Sequence, residues 1–134
     1  MDLMARRREM LVGEIYPVGT KLIEKYIGRN EYGDAYFERQ VSLNTAGEYV
    51  EGSSAGSPIF FPVNPNYVYQ KSNRRIYLLT FYDSKKQMIG QIRTNKYSNL
   101  SVQTLDRFPE RTAYIRFCTL NNSSNFSLEI TRIE

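Results

Sequence analysis

Three observations predict an all-β protein built as an antiparallel sandwich or barrel. Short runs alternate apolar with polar residues, and turn residues separate those runs at a regular spacing, which gives seven to nine strands. The composition suits strands too, with 11 Tyr and 7 Phe but no Trp and no His. At 134 residues the chain is the size of one domain and can bury a single core. Helix is expected only at the start, so residues 1–20 form an N-terminal helical arm and residues 21–134 one β domain.

Composition also bounds the function. No apolar run approaches the roughly 18 residues of a membrane span, and the chain opens on charges rather than on an apolar signal sequence. A net charge of +4, spread along the chain, describes a solvated surface better than a nucleic-acid footprint. The expectation is therefore no membrane and no nucleic acid as partner. The single cysteine, Cys118, excludes an internal disulfide and reads as a small buried hydrophobe. Without histidine the chain lacks the commonest general base and the commonest metal ligand. A non-enzymatic protein with no cofactor and no metal is expected.

Along the chain, "DLMARRREML" (2–11) reads as a short helix, with Asp2 as N-cap and Leu3, Met4, Met10 and Leu11 on one stripe. Arg6, Arg7 and Arg8 occupy much of the rest. Ten residues are not stable alone, so the segment must dock, either on its own domain or on another chain. "KLIEKYI" (21–27) fits a helix as well as a strand. "AYFERQVSL" (35–43) is a strand, and the small residues in the second half of "EYVEGSSAGSP" (48–58) predict a loop. In "IFFPVNPNYVY" (59–69) Pro62 denies the ladder an N–H, so the strand lies at an edge or starts just afterward, and Asn64-Pro65-Asn66 has the composition of a turn.

"RRIYLLTFYD" (74–83) is apolar on both faces, with Ile76, Leu78 and Thr80 opposite Tyr77, Leu79 and Phe81. Such a strand is central and covered on both sides. "QMIGQIR" (87–93) completes a hairpin with it. "NLSVQTL" (99–105) is expected to bury Leu100 and Val102. "AYIRFC" (113–118) alternates Ala113, Ile115 and Phe117 against Tyr114, Arg116 and Cys118, and "NFSLEI" (125–130) follows the same rule.

Few residues stand out chemically. Asp83 follows the central strand, where a carboxylate can accept the backbone N–H groups of the turn at 84–86. No cluster of acids suited to calcium surrounds it. Arg116 shares a face with Tyr114, where it can pair with an aromatic ring or a carboxylate across strands. The tyrosines at 67, 69, 77, 82, 97 and 114 are expected to pack between strands. No nucleophile elbow, Cys/His pair or phosphate-cradling glycine loop occurs.

Three segments in order, "FFPVNPNYVY" (60–69), "FYDSKKQMIG" (81–90) and "RTAYIRFCTLN" (111–121), carry a resemblance. They are similar to the jelly-roll β-sandwich domain of bacteriophage tail, fibre and receptor-binding proteins. The matching residues are Phe61-Pro62-Val63, Pro65-Asn66 and Tyr69 in the first segment. In the second they are Phe81-Tyr82-Asp83, Lys86 and Ile89, and in the third Ala113-Tyr114-Ile115-Arg116. The likeness covers residues 41–131; the longer interval between Pro109 and Ala113 and the stretch 28–40 depart from the usual form.

The resemblance implies a jelly-roll sandwich acting as a non-enzymatic virion subunit, such as a head fibre, decoration or tail adaptor. Its location would be the virion, its partners other capsid or tail proteins, and it would form a homo-oligomer such as a trimer. Leu3, Met4, Arg6, Arg7, Arg8, Met10 and Leu11 would form the contact with the particle or with other copies. The alternative is a carbohydrate-binding module for host surface glycans, with Tyr82, Tyr114 and Arg116 as the glycan contacts.

Overall fold

The computed structural model describes residues 17–22, 38–56, 59–72, 75–97, 101–119 and 129–134. Among them the chain is all-β, with nine strands and essentially no helix: β1 (Glu38–Leu43), β2 (Tyr49–Gly56), β3 (Phe61–Pro62), β4 (Tyr69–Ser72), β5 (Ile76–Tyr82), β6 (Met88–Tyr97), β7 (Gln103–Thr104), β8 (Tyr114–Thr119) and β9 (Glu129–Arg132). The expected N-terminal helix falls outside the described residues. So does most of 21–27, although Lys21 bridges Thr131 and Leu22 is fully buried.

All the ladders are antiparallel. The larger sheet runs β1-β2-β8-β5-β6, and β3 lies along β8 beyond the end of β2. The smaller sheet runs β7-β4-β9. Gly19 N–H donates to the Arg132 carbonyl, and Arg132 N–H to that of Thr20, so residues 17–22 flank β9. Pro62 fits because β3 is two residues long and pairs with β8 alone among the described strands.

β5 and β8 form the middle of the larger sheet and are covered on both faces. On one face Leu79, Phe81, Ile115 and Phe117 join Phe61, Tyr69, Leu105, Phe108 and Ile130 in the main core, against the smaller sheet. Phe61 stacks on Phe117 with ring centroids 5.1 Å apart, and Tyr69 stacks on Phe108 at 5.3 Å. On the other face a second cluster gathers Leu43, Leu78 and Cys118, with Tyr49 and Tyr77 against them. There the β1–β2 hairpin curls over the sheet it belongs to. The two-sided apolar pattern of residues 76–82 therefore has two different covers. Ile76 joins the main core rather than the Leu78 face, because the β5–β6 register shifts between these two residues.

Two further sequence expectations need correction. The small residues of 52–56 do not form a loop; they complete β2, and Ser54, Ala55 and Gly56 are buried. Smallness is what the position requires, since a Cβ at Gly56 would lie 2.8 Å from both the Cys118 sulfur and the Phe117 carbonyl oxygen. Val102 is exposed at 59%, while Leu105 is buried. The strand there shrinks to two residues, and Leu105 N–H donates to the Tyr69 carbonyl, which fixes the inward parity on the odd positions. Leu100 lies outside the described residues.

Cys118 is a buried thiol, as expected, and desolvation pushes its pKa up to about 12. A pKa raised on folding is stability present below the unfolded thiol's value and lost as pH climbs toward the folded one. Cys118→Ala should therefore flatten the fall in stability between about pH 9 and 12, read from urea melts at each pH. The native thiol should also resist alkylation at pH 8 for as long as the fold holds.

Candidate functional site

The sequence-predicted residues Tyr82, Tyr114 and Arg116 do come together, beneath and beside the tip of the β1–β2 hairpin. Tyr82 closes β5, and Tyr114 pairs opposite it on β8. Arg116, two residues further along β8, extends from the same face. Its Nε donates to the Tyr82 hydroxyl at 3.1 Å, and Nη2 donates to the Gly47 carbonyl at 3.0 Å. The Tyr82 hydroxyl in turn donates to the same Gly47 oxygen at 2.6 Å. A carbonyl with two lone pairs thus receives both donors, and the phenol both accepts and donates.

Aromatic rings pack around the guanidinium. Its carbon lies 4.0 Å from the Phe60 ring centroid, 5.1 Å from that of Tyr82 and 5.7 Å from that of Tyr49. Phe60 meets Tyr82 edge-on at 4.8 Å and Tyr114 at 6.0 Å. A planar cation sandwiched in this way is held by the ring quadrupoles as well as by its hydrogen bonds. Arg116 is only 9% exposed and Tyr82 2%. Burial raises the Tyr82 pKa from its ordinary value, and the Arg116 hydrogen bond works against that shift. What reaches solvent is half-buried Phe60 and Tyr114, with the Lys86 ammonium 5.2 Å and 5.5 Å from their ring centroids.

Two turns of the same design frame the cluster. In the β5–β6 turn, Asp83 Oδ1 accepts the N–H groups of Lys85 and Gln87, as expected for a turn-forming carboxylate, and Lys86 takes a φ of 62°. In the β1–β2 turn, Asn44 Oδ1 accepts from Ala46 and Glu48, and Gly47 takes a φ of 76°. These are hairpin loops with a left-handed fourth residue. Gly47 is the more constrained of the pair, since a Cβ there would sit 3.0 Å from the Met88 side chain. Gly47→Ala should cost about 1–2 kcal/mol, combining the left-handed penalty with displacement of Met88, as measured by thermal or urea unfolding.

The hairpin is held by further side chains of β6. Gln91 Nε2 donates to the Asn44 carbonyl at 2.9 Å and to Thr80 Oγ1 at 3.0 Å, and Arg93 Nη2 donates to the Leu43 carbonyl at 2.8 Å. Strand alternation placed Arg116 beside Tyr114, and Tyr82 was named with them as a glycan contact. Sequence reasoning missed Phe60, Gln91, Arg93 and Gly47, whose roles depend on the hairpin curling back over its own sheet. The anchor residues Leu3, Met4, Arg6, Arg7, Arg8, Met10 and Leu11 lie outside the described residues.

Chemically the cluster captures carbonyls. Four side chains, Tyr82, Gln91, Arg93 and Arg116, aim N–H and O–H donors at three backbone oxygens within five residues of chain. Among the described residues, no group of three or more Cys, Asp or Glu gathers in a way that could hold a metal ion. Comparison with protein-family models, with curated proteins and with solved structures finds no match to this chain.

Proposed function

We propose that this chain is a non-enzymatic bacteriophage virion subunit. In this reading a jelly-roll sandwich serves as a rigid scaffold, displayed on a capsid or tail and attached through its N-terminal residues. The observation that carries the reading is that the three resembling segments meet in space. Pro62 pairs with Tyr114, Tyr82 pairs with Tyr114, and Arg116 bonds Tyr82, so one residue network links all three. A shared motif that codes for a packing node is what a common scaffold leaves in a sequence. The buried Arg116 and Tyr82 belong to that scaffold, because their donors are engaged with the hairpin.

Leu3, Met4, Met10 and Leu11 then supply an apolar stripe for a groove on a neighbouring virion protein or on other copies, and Arg6, Arg7 and Arg8 its basic flank. Removing residues 1–12 should leave a folded β domain that no longer enters particles. Mass spectrometry of purified particles, together with circular dichroism of the truncated chain, checks both halves. Undiminished incorporation of the truncated chain would overturn the assignment.

A second reading, a glycan-binding module, is favoured by the half-exposed rings of Phe60 and Tyr114 with the Lys86 ammonium beside them. Sugars stack on such rings and hydrogen-bond the flanking polar groups. A glycan array separates the two readings. Specific binding lost in Tyr114→Ala, with an unchanged melting temperature, would promote the module; no binding leaves the scaffold.

A further inference from the structure

Resting on the glycan-binding reading above, we propose that the solvent-facing rim of the Arg116 cluster binds an acidic sugar. Phe60 and Tyr114 would stack on its ring, and the Lys86 ammonium would pair with its carboxylate. Buried Arg116 and Tyr82 spend donors on the Gly47 carbonyl, so the rim is what the cluster offers to a ligand. There the half-buried rings of Phe60 and Tyr114 meet edge to face at 6.0 Å. Exposed Lys86 holds its Nζ 5.2 Å and 5.5 Å from their centroids. Among the described residues, neither that ammonium nor the Tyr114 hydroxyl takes part in a hydrogen bond or an ion pair.

The turn presents this lysine to the rings. Asp83 Oδ1 accepts the N–H groups of Lys85 and Gln87, and Lys86 stands between them with its φ of 62°. An ammonium over an exposed ring is held only weakly. A neutral sugar that stacks on the rings must push the ammonium aside and gives nothing in return. An acidic sugar pushes it aside and then pairs with it, since the flexible four-carbon stem can follow the carboxylate. The rim thus selects for charge through the group that a ligand displaces. A single ammonium suits a carboxylate, whereas phosphate and sulfate are better met by the bidentate fork of an arginine. Arg116 is committed to the hairpin, and exposed Arg111 stands next to exposed Glu110, which offsets its charge. The Tyr114 hydroxyl is left to bond a hydroxyl of the sugar.

The test titrates the isotope-labelled full chain with matched sugars and follows the backbone amide shifts by nuclear magnetic resonance. One pair is trigalacturonate and its methyl ester, and the other is sialyllactose and lactose. The expected result is movement centred on Phe60, Lys86 and Tyr114. The acid of at least one pair should bind about three- to five-fold more tightly than its neutral partner at low salt, as suits an exposed ion pair. Added sodium chloride should shrink that preference.

Two variants assign the parts. Lys86→Gln removes the charge at the same backbone conformation, and should abolish the preference for the acid at an unchanged melting temperature. Tyr114→Phe keeps the ring, and should weaken acid and neutral sugars alike by about three- to ten-fold through the lost hydrogen bond. Equal binding of acidic and neutral sugars at the same residues would overturn the choice of an acidic sugar and leave the glycan reading standing. Binding of none of the four sugars would overturn both. A preference for the acid that survives in Lys86→Gln would place the carboxylate elsewhere and overturn the assignment.

Discussion

Arg116→Ala is expected to destabilise the protein by about 2–4 kcal/mol, one of the two largest single-residue effects in the molecule. Three losses combine. The Tyr82 hydroxyl loses a charged donor, the Gly47 carbonyl loses one of its two donors, and the Phe60 ring loses the guanidinium stacked on it at 4.0 Å. The cavity left between Phe60, Tyr82 and Tyr49 adds to these, since the arginine was 9% exposed. Arg116→Lys keeps the charge but not the two nitrogens that reach different oxygens, and should recover less than half of the loss. In a double-mutant cycle with Tyr82→Phe the pair should couple by about 1 kcal/mol, because both act on the Gly47 oxygen. Additive effects in that cycle would mean that Arg116 acts through packing alone.

The strand pattern was legible because a two-sided apolar run such as 76–82 and a clean alternation such as 113–118 suit a strand and little else. The turns at 64–66 and 83–87 were legible for a local reason. Asn64 and Asp83 bond backbone N–H groups two residues on, within a stretch that sequence alone defines. Arg116 beside an aromatic ring followed from the same alternation.

What stayed hidden depends on partners distant in sequence. The 52–56 stretch resembles a loop because its residues have nothing of their own to pack, and only the approach of β8 turns Gly56 into a requirement. Gln91 and Arg93 look like the solvent face of an edge strand until the hairpin about 50 residues earlier in the chain arrives above them. The buried tyrosines illustrate the same limit. Their number predicts strands, but not that the hydroxyls of Tyr69, Tyr82 and Tyr97 would each hold a loop, at Asn64, Gly47 and Asp106.

Phe117→Ala is expected to cost about 3–5 kcal/mol, enough to leave little of a typical domain's stability. The residue is fully buried on β8, the strand that pairs with β5 on one side and with β2 and β3 on the other. Its ring stacks on Phe61 and sits opposite Leu79, so truncation opens a void where three strands of the larger sheet meet the smaller one. The void cannot close cheaply. The ladders to β5, β2 and β3 hold the β8 backbone where it is, so it cannot shift into the space the ring leaves. Phe117→Leu retains most of the volume and should cost about 1–1.5 kcal/mol. Urea unfolding followed by both tyrosine fluorescence and far-ultraviolet circular dichroism checks the ranking. If Phe117→Ala proved no worse than Phe117→Leu, the two sheets would not be packed through this ring. A loss confined to one probe would show that the hairpin face and the main core unfold separately, rather than as the single unit that β5 and β8 make of them.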